Sequence, residues 1–171
     1  MSDIAVSHSA ADSKPAGRPR AFQTIVYGGL AIGVLDALDA MIFFGLWYGI
    51  PPGGIWRSVA GGLLGRQAAA SGGFKIAVLG LALHFLNATL IAIGYYIVSS
   101  ILPILNRYAV IAGLLYGLVV YYIMTFVVVP HSAIGPRAFP ALPSLLNGII
   151  GHAVLVGLPV ALIARWSARG R

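Results

Sequence analysis

The chain contains no cysteine and no glutamate, and only 9% of its 171 residues are charged. Without cysteine, disulfides and thiolate metal sites are excluded. Soluble domains carry about 25% charged residues, so a chain this poor in charge could not cover a globular surface with polar groups. It could face lipid. Acids are scarcest of all: after Asp3 and Asp12 only Asp36 and Asp39 remain, against 11 lysines and arginines and a formal net charge of +7. In a soluble protein that imbalance would point to nucleic acid. Here the cations flank apolar runs, where membrane anchoring and topology explain them, and no nucleic-acid motif is present. No nucleophile–base arrangement or phosphate loop lies outside the apolar runs, so no enzyme is expected, and no cofactor.

What the chain has in abundance is apolar length: 59% of residues are hydrophobic. Crossing a bilayer takes roughly 20 apolar residues, and four stretches qualify, at about 24–49, 74–102, 107–129 and 144–166. The predicted fold is an all-α integral membrane protein, a bundle of four transmembrane helices. Residues 1–22, polar and rich in Ser, Ala and Pro, lack the apolar core and cleavage site of a signal peptide. They read as a disordered cytoplasmic tail, followed by a membrane domain at 23–167 and a basic end at 168–171. Residues 53–70, between the first two spans, are too polar and broken to cross. Ile55, Trp56, Val59, Leu63 and Leu64 would form the apolar face of an interfacial amphipathic helix, with Arg57 and Arg66 snorkelling from it.

Cations set the orientation. With the N-terminus inside, the inner side holds Lys14, Arg18, Arg20, Arg107, Arg165, Arg169 and Arg171, and the outer side Arg57, Arg66, Lys75 and Arg137. Seven against four places both termini in the cytoplasm. The halves also look alike. Gly29-x-x-x-Gly33 pairs with Gly113-x-x-x-Gly117, and Ile50-Pro51 followed by Ile55 pairs with Val129-Pro130 followed by Ile134. Gly80-x-x-x-His84 pairs with Gly148-x-x-x-His152. Three matches in one order suggest a duplicated two-helix hairpin, with a parallel repeat about an axis along the membrane normal.

From His84-x-x-Asn87 onward the order is Gly94-Tyr95, Pro103, a glycine-bearing third span, Met124-Thr125-Phe126, Pro130 and Gly151-His152. This order, with Gly29-x-x-x-Gly33 before it, resembles the YagU-like family of small bacterial inner-membrane proteins, whose molecular function is uncharacterised. The resemblance covers most of residues 24–166. It implies a bacterial inner (cytoplasmic) membrane location and no defined activity. Asp36-x-x-Asp39 is not part of that pattern and takes no role from it.

Asp36 and Asp39 lie about 60° apart on one helical face. Each ionised aspartate at mid-bilayer costs about 2.5–3.5 kcal/mol, so the pair should face protein or water. Counted from the outer ends of their spans, Asp36, Asp39, His84 and His152 fall at similar depths, and Asn87 lies about one turn from His84. A cluster of Asp36, Asp39, His84, Asn87 and His152 is the candidate site, suited to handling protons or cations. The competing reading is a structural or accessory membrane protein in which the same contacts only hold helices together. A third is metal or haem ligation by His84 and His152, with the aspartates as ligands or in support. The partner class is the lipid bilayer, with a homo-oligomer or another membrane protein also compatible. The Gly-x-x-x-Gly runs read as close-packing faces, Pro159 as a kink that frees a carbonyl, and residues 130–143, with His131 and Arg137, as a solvated outer loop able to meet an anion.

Overall fold

The computed structural model describes residues 17–169, and among these there is no β-strand. Four helices are long and apolar enough to cross a membrane: α1 (Gln23–Tyr48), α4 (Phe74–Ile101), α6 (Ala109–His131) and α7 (Leu142–Arg169). Three short helices connect them: α2 (Pro52–Leu64), α3 (Arg66–Ala70) and α5 (Ile104–Arg107). The breaks follow local backbone chemistry. Gly49 (φ +66°) closes α1 in the left-handed region, which favours glycine, and Pro51 follows it. Gly65 (φ +83°) separates α2 from α3. Leu102 leaves helical geometry ahead of Pro103, as the residue before a proline tends to do.

Beyond Pro143 in the first turn of α7, two prolines lie in helix interiors, and each of these is preceded by a widened, π-type turn. Met124–Val128 ends two residues before Pro130, and His152–Gly157 ends two residues before Pro159. A proline ring collides with the carbonyl four residues earlier. Widening the turn moves that carbonyl aside without breaking the helix.

The long helices pack as α1 with α4 and α6 with α7, and α7 also packs against α1. Glycines set these distances. A Cβ at Gly33 would collide with the Phe85 ring, and one at Gly29 would lie 3.2 Å from Thr89 Cα. A Cβ at Gly117 would fall on the His152 carbonyl, and one at Gly157 on the backbone of Gly113 and Gly117. The buried core is built around Ile32, Ala88, Ala92, Tyr95, Val156 and Val160. Outward faces are apolar instead of polar: Leu46 is 85% exposed and Phe74 83%. In water such a surface would be an association or aggregation liability.

Three expectations change. The helix expected over 53–70 is two helices, and its packed face is Ile55, Trp56, Ala60 and Gly61, while Leu63 and Leu64 stay exposed. That face lies on α4: a Cβ at Gly80 would collide with the Trp56 carbonyl, so the apolar side of α2 is satisfied by protein. Residues 17–22, assigned to a disordered tail, are docked. Asn106 Nδ2 donates to the Gly17 carbonyl (3.2 Å), the Arg20 N–H donates to Ser167 Oγ (3.0 Å), and Pro19 is buried. The remainder of that tail, residues 1–16 with His8 and Lys14, and the end of the basic terminus, residues 170–171, lie outside the described residues.

Candidate functional site

A cavity of about 240 Å³ lies between α1, α2, α4, α6 and α7 on the side of the α1–α4 and α6–α7 connections. Asp36, His84, Asn87 and His152 all line it, and its far end is apolar, at Ile32, Ile91 and Val156. Beyond Ile91, the Tyr116 hydroxyl donates to the Ile91 carbonyl (2.6 Å) and its ring meets Tyr95 edge-on at 5.0 Å. Toward the connecting loops the lining continues to Ser58, Ser132 and Arg137. Ser58 and Arg137 are exposed, so the polar walls lead from the loop surface to the aspartate and the histidines.

His84 is held from two sides. Its Nε2 lies 2.9 Å from the Gly33 carbonyl oxygen. A carbonyl only accepts, so Nε2 carries the hydrogen and donates. The absence of a side chain at Gly33 lets α4 come close enough for this bond. Trp56 of α2 covers the imidazole, with ring centroids 5.3 Å apart and planes inclined at 55°.

With Nε2 committed, Nδ1 is the nitrogen that faces Asp36, at 3.9 Å from Oδ2. This exceeds direct hydrogen-bond length, so the pair is an electrostatic contact with room for adjustment. A neutral imidazole in this tautomer turns its Nδ1 lone pair toward the carboxylate. One proton, placed on Nδ1 or on Asp36, replaces that repulsion with an ion pair or a hydrogen bond. Asp36 and His84 together therefore offer one place for one proton. Asn87 stands about one turn along α4 from His84 on the same cavity wall. His152 faces the cavity from α7 and meets the Tyr121 ring at 5.3 Å.

Asp39 departs from the expected cluster. It does not line the cavity. Its Oδ2 accepts a hydrogen bond from Asn147 Nδ2 at 2.8 Å and sits where a Cβ on Gly151 would be 3.2 Å away. The offset of about 60° between the two aspartates is enough to turn Asp36 to α4 and Asp39 to α7. Four of the five expected residues thus share a cavity, and the fifth ties α1 to α7. Substituting Asp39→Ala and Asn147→Ala singly and together should reveal a coupling of about 0.6 kcal/mol and up to ~1.7. Denaturant titration in detergent measures it, and strictly additive effects would remove this contact's role.

Sequence reasoning missed Asn147, although a lone amide in an apolar run was a visible signal. Arg137 stands in an exposed loop, as expected, and also lines the cavity, which sequence reasoning did not foresee. Among the described residues, no group of three or more His, Cys, Asp or Glu side chains is placed to hold a metal ion.

Comparison with known protein families, curated proteins and solved structures finds no match. The functional reading rests on the cavity itself.

Proposed function

We propose that this chain is a small, non-enzymatic bacterial inner-membrane protein, its long helices forming a four-span bundle in the lipid bilayer with both termini in the cytoplasm. The excess of inner-side cations supports that orientation. Within it, Asp36 and His84 form a protonatable pair on a path that carries protons across the membrane, entered from the outer face through the cavity. The observation that carries this reading is the placement of His84, with Nε2 on the Gly33 carbonyl and Nδ1 facing Asp36 inside a partly polar cavity. Placing an aspartate and two histidines half-buried within spans is costly, and such groups commonly mark proton or ion paths. Arg137 on the same lining disfavours a metal cation as the cargo, which leaves the proton as the better candidate.

A duplicated hairpin fits the same geometry. Gly29 faces Thr89, five residues beyond His84, while Gly113 faces Gly157, five residues beyond His152. Gly33 faces Phe85, one beyond His84, and Gly117 faces His152 and Ala153. Matched glycines therefore meet matched positions in both hairpins. The halves differ at their prolines: Pro51 follows the end of α1, whereas α6 runs through Pro130.

The accessory reading draws its support from Asp39–Asn147, a helix-to-helix bond outside the cavity. Purified protein in liposomes carrying an internal pH-sensitive dye separates the two. Under an imposed pH gradient, proton movement above that of protein-free vesicles is expected. Movement equal to theirs would leave the accessory role.

A further inference from the structure

The loop mouth of the Asp36–His84 cavity is strongly basic. A second cavity, of about 340 Å³, adjoins the first and shares Ser58, Ile134 and Arg137 with it. Its charged lining is Arg57, Arg66 and Arg137. Among the described residues the carboxylates are Asp36 and Asp39, and the single ion pair is Asp36–His84. None of the three arginines pairs with an acid.

The site is built, with its parts held in place. Arg66 donates from Nε to the Ile134 carbonyl (3.0 Å) and from Nη2 to the Pro136 carbonyl (2.8 Å). The Ala133 N–H donates to the Gly62 carbonyl (3.0 Å), fastening the same loop to α2. A guanidinium has five N–H donors, so Arg66 keeps three beyond those two bonds. Arg57 lies over Gly53, where a Cβ would be 3.5 Å from its Nη1. Partial burial, and then the charge of Arg66, lowers the Arg137 pKa from its ordinary value. Like charges are thus held together, and an anion between them would relieve the repulsion. With the termini inside, these arginines are also outer-side cations, which topology alone does not favour.

We propose that Arg57, Arg66 and Arg137 bind a phosphate-class oxyanion at the mouth of the cavity, either free phosphate or the phosphate of an anionic lipid headgroup. Guanidinium forks match the oxygen spacing of phosphate and remain charged at all relevant pH. A concave wall concentrates their field. This site rests on the loop geometry, and it stands whether or not Asp36 and His84 move protons.

Full-length protein tests it in two arms, both read as thermal stabilisation. One arm titrates inorganic phosphate in neutral detergent. The other compares nanodiscs of phosphatidylcholine alone with nanodiscs containing phosphatidylglycerol. Arg57→Gln and Arg137→Gln are the informative variants because neither side chain fastens the loop. Lys75→Gln, an exposed residue at the start of α4, carries the same change in net charge. The apparent affinity should fall about tenfold to hundredfold in Arg57→Gln and Arg137→Gln, the loss for one charge-assisted hydrogen bond, and hold in Lys75→Gln. Stabilisation by inorganic phosphate identifies a soluble anion. Stabilisation by phosphatidylglycerol that excess phosphate does not displace identifies a headgroup. The proposal is overturned if neither probe stabilises the protein, or if Lys75→Gln weakens binding as much as the other two.

Discussion

Asp36→Asn is expected to reduce proton movement in liposomes to that of protein-free vesicles. The substitution keeps the volume and a polar head but removes the only carboxylate that lines the cavity among the described residues. An amide can still donate to the Nδ1 lone pair of His84, so packing is retained while the exchangeable acid is lost. His84→Gln should have the same effect through the other partner, because a glutamine neither accepts the proton nor holds the charge. Asp39→Asn is the discriminating control. Its carbonyl can still accept from Asn147, and it stands outside the cavity, so movement should persist. Equal losses in Asp36→Asn and Asp39→Asn would mean that both aspartates act through helix packing.

The second large effect is mechanical. Gly157→Ala should cost the protein about 1–3 kcal/mol, the usual range for overpacking, because the added methyl would land on the backbone of Gly113 and Gly117. Backbone on a facing helix cannot rotate away as a side chain can, so α6 and α7 must separate. Gly62→Ala provides the opposite sign. Gly62 lies in α2 with open space at its Cβ position, so alanine should stabilise by about 0.5–1 kcal/mol through helix propensity. Thermal unfolding of both variants in the same detergent reads the contrast. A Gly157→Ala protein as stable as the parent would mean that α6 and α7 do not approach this closely.

The four long helices were legible because length and hydropathy are local properties, and their ends were marked by glycine and proline. Pro51, Gly65 and Pro103 stand at or beside real breaks. Depth was legible too, which is why Asp36, His84, Asn87 and His152 could be grouped before any contact was known. Direction was not. A helix offset of about 60° is compatible with one neighbour or two, and only the placement of Asn147 and Gly151 on α7 sends Asp39 away from the cavity. Pattern alone placed Leu63 and Leu64 with Ile55, Trp56 and Val59 on one apolar face of an interfacial helix, but close approach to Gly80 turns Trp56 and Ala60 to α4 and leaves Leu63 and Leu64 exposed. Arg137 looked like an ordinary loop cation. Its place on the cavity depends on the folding of residues 132–137 back onto α2, a long-range event with no local signal.

The central claim, that Asp36 and His84 share one proton, is tested most directly by nitrogen NMR of protein labelled at its histidine rings. Spectra collected across a pH series are assigned to His84 by comparison with His84→Gln. At high pH the His84 ring should carry its hydrogen on Nε2, and on acidification it should gain the second proton at Nδ1. Asp36→Asn should move the His84 Nδ1 signal while leaving the His152 signals in place. A His84 ring protonated on Nδ1 at high pH, or an Nδ1 signal indifferent to Asp36→Asn, would contradict the shared proton.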